Sequence, residues 1–177
     1  MSKTIFLLFA YMTLAGCSIG SLAKNQTPYI YKKPYHYGIL NKNILMNHEG
    51  YPWFLNQYDK YQPSIEKLSQ INFSEIKIKI FMGTWCHDSK REIPRLIKIL
   101  DNLKFDQSNV EIIGLTKEKK GYFNDYSRYN ITNTPTIIFY KNKKEVGRII
   151  EKPKAVSYTH LRAHETEADL VCRLLLE

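Results

Sequence analysis

The stretch MGTWCHDSKREIP, Met82–Pro94, places a single cysteine, Cys86, directly after Trp85, with Ser89 in the place a partner cysteine would take. A thiolate is the nucleophile of disulfide exchange, and its fraction rises at a helix N-terminus, where unpaired N–H groups and the positive end of the helix dipole face it. Beyond Cys86, Ile93, Leu96, Ile97 and Leu100 recur at helical spacing, with Pro94 interrupting the first turns. The cysteine therefore opens a helix. His87 can add charge below neutral pH, Ser89 can donate a hydrogen bond to the sulfur, and Lys90 and Arg91 raise the local potential. Asp88 opposes them, although an acid in a first helical turn is also simple stabilisation. His87, Asp88 and Ser89 read equally well as a cap or as exposed first-turn residues. Without a resolving thiol, Cys86 can form a mixed disulfide but cannot release itself intramolecularly, so release needs a thiol from the substrate or a small molecule. That suits disulfide isomerisation, or removal of mixed disulfides and sulfenic acids, better than net dithiol oxidation. The alternative is an inert thiol in a binding module.

The elements that position Cys86 follow from periodicity. Ile76, Ile78 and Ile80 alternate with Lys77 and Lys79, a strand entering a core and leading into the cysteine. Val110–Leu115 reads as a buried strand, and the charged run from Thr116 to Asn130 as a loop plus a helix. Thr136–Tyr140 and Glu145–Ile150 flank a short polar turn and read as a hairpin. Upstream, Ser64 caps a short helix bearing Ile65, Leu68 and Ile71, and residues 35–63 form an aromatic-rich extension whose Trp53, Phe54, Tyr58 and Tyr61 pack onto the domain. Helix, strand, helix, strand, helix, strand, strand suits an α/β layer with an antiparallel hairpin at one side. His36 and His48 lack metal-ligand spacing and suit packing or surface roles. No P-loop or Ser-His-Asp triad is recognisable, and no metal or other cofactor is expected.

Trp85-Cys86 at a helix start, Pro94 eight residues past the cysteine, and Thr134-Pro135-Thr136 before a strand resemble, in that order, the thioredoxin family. The resemblance covers about Ile65–Lys152, and Gly147 in the last strand also fits it. It implies a central mixed sheet flanked by helices and a cis Pro135 against Cys86. It also implies catalytic roles for Cys86 and Ser89, and a substrate site of Trp85, His87, Thr134 and Pro135, with Thr134 offering backbone groups to an extended chain. Two departures matter: Ser89 replaces the family's second cysteine, and Ile80 stands where a buried acid is often found. Trp-Cys-x-x-Ser is similar to a monothiol branch of thioredoxin-like bacterial lipoproteins. The implied activity is thiol–disulfide exchange through one cysteine; the competing expectation is a non-catalytic module holding peptides at Pro135. Copper binding on this fold would need a second cysteine and a distal histidine, and neither is evident.

The ends carry further expectations. Met1–Gly16 has a single Lys3, an apolar run from Ile5, and Leu14-Ala15-Gly16 before Cys17, which resembles the lipobox of bacterial lipoproteins. Cys17 would then be lipidated and residues 17–34, with Pro28 and Pro34, would be a tether to the 64–155 domain. The expected location is the cell envelope, lipid-anchored and facing the periplasm, where disulfides persist. Expected partners are cysteine-containing exported proteins or small thiols. The net charge is +9, but the lysines are dispersed among Asn, Ile and Tyr and no nucleic-acid motif accompanies them, so no nucleic-acid partner is expected. Val156–Glu177 closely resembles the translation of a sequencing-library adapter, GTC TCT TAT ACA CAT CTC CGA GCC CAC GAG giving Val156–Glu165. These residues, including His160, His164 and Cys172, are expected to be an assembly artefact, leaving the domain truncated near Ala155, and are excluded from site reasoning.

Overall fold

The computed structural model describes residues 30–32, 35–66, 68–70, 72–121 and 126–152. Cys17 with its lipobox, most of the expected tether and Val156–Glu177 lie outside the described residues. β3 (Ile76–Met82) runs through the centre of a mixed sheet. Ile76, Ile78, Ile80 and Met82 face one side and are buried, while Lys77, Lys79 and Phe81 face the other. The chain crosses over through α3 (His87–Asn102) and returns as β4 (Val110–Gly114), parallel to β3, since a parallel pair cannot be joined by a tight turn. β5 (Thr136–Lys141) pairs antiparallel with the other edge of β3. Asn142 and Lys143, with φ of 53° and 65°, then make the two-residue turn to β6 (Lys144–Ile150).

The N-terminal extension does more than pack. β2 (Tyr35–Leu40) joins the sheet antiparallel to β4, and β1 (Ile30–Lys32), in the segment expected to be tether, pairs with β2. The sheet order is β1-β2-β4-β3-β5-β6. α1 (Lys42–Asn47) starts where the Asn41 side chain accepts from Ile44 N–H, and α2 (Pro52–Lys60) starts with a proline at its first turn, where its missing N–H costs nothing. Leu45 and Phe54 from these helices and Ile93, Leu96, Ile97 and Leu100 from α3 close over Ile78, Ile80, Ile112, Ile137 and Phe139. Each such side chain contributes about 1.5–3 kcal/mol on full burial. Asp101 near the end of α3 gathers the helices: Lys42 Nζ and Tyr58 OH each donate to it at 2.5 Å. Burial first, and then this carboxylate, push the Tyr58 phenol up to about 12.

α3 ends in a Schellman motif. Phe105 N–H reaches Leu100 O at 2.9 Å, Lys104 N–H reaches Asp101 O at 3.0 Å, Lys104 takes φ 53°, and Phe105 joins Leu100 in the core. At two further expected helices the described residues form only 3-10 turns. Ser64 spends its hydroxyl on the Glu66 carboxylate, and only a 3-10 turn, Leu68–Gln70, follows; Ile71 lies outside the described residues. In the run after Thr116 the described helical element is likewise a 3-10 turn, Tyr126–Tyr129, which brings Tyr129 against Phe81, Ile113, Leu115 and Ile138 on the second face of the sheet.

Candidate active site

Parallel strands β3 and β4 end side by side, Met82 opposite Gly114, and Leu115 N–H continues the pairing by bonding Met82 O at 2.8 Å. The turn Gly83–Cys86 leaves from this edge. Cys86 N–H closes it on Gly83 O at 2.9 Å. The Trp85 ring folds back over Gly83, where a Cβ would come within 2.4 Å of the indole, and its Nε1–H donates to Leu115 O at 2.9 Å. Thr84 is buried, and its Oγ1 accepts from the His36 N–H of β2 at 3.2 Å.

Cys86 sits at the N-cap of α3 with extended backbone, φ −81° and ψ 129°, and is partly exposed. Its thiol donates to Thr134 O at 3.1 Å. The Thr134–Pro135 peptide is cis, and Thr134, Pro135 and Thr136 are all buried. Glu151 N–H donates to Pro135 O at 2.7 Å, and the Thr136 hydroxyl donates to Asn133 O at 2.7 Å, so the loop holding the cis peptide is fixed from β6 and from its own start. The fold is thioredoxin-like.

No family model and no curated protein matches this chain. Among solved structures, a thioredoxin of Fasciola hepatica is 23% identical, with a TM-score of 0.33 over 49% of this chain and 77% of its own. Mitochondrial thioredoxin 3 of Saccharomyces cerevisiae is 19% identical, with a TM-score of 0.33 over 53% and 86%. An oxidised thioredoxin of Arabidopsis thaliana is 24% identical, with a TM-score of 0.32 over 48% and 70%.

Of the residues singled out in the sequence, Cys86, Thr134 and Pro135 come together, with Trp85 lying over the turn beside them. Ser89 is fully buried and does not bond the sulfur as expected: its Oγ accepts from Gly83 N–H at 3.2 Å and anchors the turn from beneath. The His87 side chain is 88% exposed, its Nδ1 4.0 Å from Asp88 Oδ1. Arg91 does not lend free charge to the sulfur. It bonds Glu92 at 2.5 Å and Asp88 at 2.8 Å, and these bonds, Glu92's first, raise its pKa further. Lys90 Nζ lies 5.9 Å from the centroid of the Trp53 ring.

Sequence reasoning missed Thr84, Gly83, Leu115 and His36. His36 was readable as a packing or surface residue, yet its backbone holds Thr84 and its Nδ1 lies 2.5 Å from Tyr51 OH, with the His48 ring centroid 4.7 Å from its own. Burial first, and His48 second, lower the His36 pKa below the ordinary 6.5. Among the described residues no group of three or more His, Cys, Asp or Glu is placed to hold a metal ion.

Proposed function

We propose that this chain carries out thiol–disulfide exchange through the single sulfur of Cys86. The observation that carries this is a partly exposed thiol at the N-cap of a sixteen-residue helix, 3.1 Å from the carbonyl that precedes a buried cis proline. The Cys86 thiolate attacks one sulfur of a substrate disulfide; a bond forms to that sulfur, the substrate S–S bond breaks, and the other substrate sulfur leaves as a thiolate. Ser89 offers no second sulfur. A thiolate from the same substrate or from a small thiol then attacks the mixed disulfide and returns Cys86 as a thiolate. If that thiolate belongs to the substrate, pairings are exchanged without net redox change. If two external thiolates act in succession, the substrate disulfide is reduced and the external thiols are oxidised. As a lipoprotein anchored through Cys17, the protein would meet exported cysteine-containing proteins in the envelope.

The test uses the full chain with Cys17→Ser and Cys172→Ser, leaving Cys86 as the lone thiol. Incubation with a small disulfide is expected to add one equivalent, released by added thiol, and Cys86→Ala is expected to add none; mass spectrometry reads both. No adduct on the parent would overturn exchange, and unchanged peptide binding in Cys86→Ala would then favour a binding module.

A further inference from the structure

We infer that the disulfide or thiol met by Cys86 carries carboxylates, and that the turn Thr116–Lys120 selects it. This rests on the exchange activity proposed above and adds the chemical class of its substrate. β4 delivers this turn to the edge from which the Cys86 turn leaves, and Leu115 joins the two by bonding Met82 O and receiving the Trp85 indole N–H. The turn is closed on itself. Lys119 N–H reaches Thr116 O at 2.9 Å, Thr116 N–H reaches Lys120 O at 3.0 Å, and Lys120 N–H reaches Thr116 Oγ1 at 3.2 Å. Lys119 takes φ 60° to make the bend. Within this fixed frame Lys117 and Lys120 are exposed and Lys119 is half-buried. Lys117 Nζ lies 5.5 Å from the Tyr35 ring centroid, leaning toward β2. Glu118 is the turn's one acid against three lysines.

Asp88 and Glu92 share the single charge of Arg91, and on the Pro135 side Glu151 accepts from the neutral Asn133 Nδ2 at 2.6 Å, so these groups present no unpaired cation. Among the described residues the turn, with three lysines against Glu118, is a net positive element that Trp85 reaches through Leu115. A carboxylate next to the reacting sulfur is drawn to it, and the negative charge spread over three sulfurs during exchange is stabilised by the same field.

The experiment measures the second-order rate of Cys86 with two disulfides in the Cys17→Ser/Cys172→Ser chain. One is dianionic 5,5′-dithiobis(2-nitrobenzoate); the other is uncharged 4,4′-dithiodipyridine. Combining Lys117→Gln, Lys119→Asn and Lys120→Gln, with Asn chosen because it tolerates left-handed backbone, should slow the dianion about five- to tenfold at low salt and leave the uncharged reagent unchanged. Raising salt to about 0.3 M should slow the dianion in the parent chain alone, a check that needs no substitution in the turn. Equal slowing of both reagents, or of neither, would overturn the charge selection while leaving exchange intact. Failure of both reagents to react with the parent would overturn exchange itself. Oxidised glutathione and a peptide disulfide flanked by Asp then separate two sources of the carboxylate: a larger loss for the first points to a small anionic thiol, and for the second to an acidic protein loop.

Discussion

On the side facing β2 and β4, the turn that carries Cys86 is stitched down through the Thr84 hydroxyl and the Trp85 indole. On the side facing Pro135 it meets its neighbour through the thiol resting on Thr134 O. Backbone placement and sulfur reactivity are thus given to different neighbours. A nucleophile that must exchange partners gains from a weak one, and an S–H group is a weak donor. The backbone beneath it gains from strong ones, because a sulfur that wanders relative to the cis-proline loop loses its approach to an extended substrate.

The sharpest way to break this contrast is at Gly114. A Cβ there would lie 2.7 Å from His36 O and 3.1 Å from the Tyr37 Cα, both backbone atoms, so β2 would have to move off β4. Gly114→Ala should cost up to about 3 kcal/mol, read from the urea midpoint, and should slow exchange at Cys86; unchanged values for both would mean that β2 does not hold the turn. Thr84→Val is milder. It removes the acceptor of the buried His36 N–H and should cost about 1–2 kcal/mol, with Thr84→Ser restoring both stability and exchange rate.

The smallest effect is expected from pH. Because the folded-state pKa of His36 lies below its ordinary 6.5, its neutral form contributes stability that is present above about pH 6.5 and is lost as pH falls through the lowered value. Urea midpoints measured from pH 8 to pH 5 should therefore decline at the acid end, and His36→Gln should flatten that decline. A slope that His36→Gln leaves unaltered would assign the loss to other groups.

The stitched side was also the less legible one. Where a strand alternates apolar and charged residues, as β3 does with Ile76, Lys77, Ile78 and Lys79, the core face can be read from the chain, and the two-residue turn between β5 and β6 is marked by its polar residues. In β2 the inward positions are His36, Gly38 and Leu40 while Tyr35, Tyr37 and Ile39 point outward, so the pattern runs against the usual alternation. Pro52 was the available signal for α2. Ser64 looked like a helix cap by residue type; in space its hydroxyl donates to Glu66, and the described residues that follow make only a 3-10 turn. At the site, Cys86, the helix it opens and Pro135 were readable from residue type and spacing. Thr84 was not, because its partner is a backbone N–H on a strand remote in the chain, and no residue type advertises a main-chain bond. The bond expected between Ser89 and the sulfur is absent because Ser89 is buried beneath the turn, where its Oγ accepts from Gly83 N–H, one residue past β3.

The contrast between the two edges of the sheet also has an order in time. The β5–β6 hairpin closes over two residues, Asn142 and Lys143, so it needs little chain entropy and belongs to the class of structures that form in microseconds. The pairing of Gly38 with Gly114 closes a much longer loop, one that holds α1, α2, β3 and α3, at a larger entropic cost. Thr84 acquires its His36 partner only with that pairing. The bond that holds the Cys86 turn from β2 is therefore a non-local one, and a chain folded from β3 onward alone would lack it.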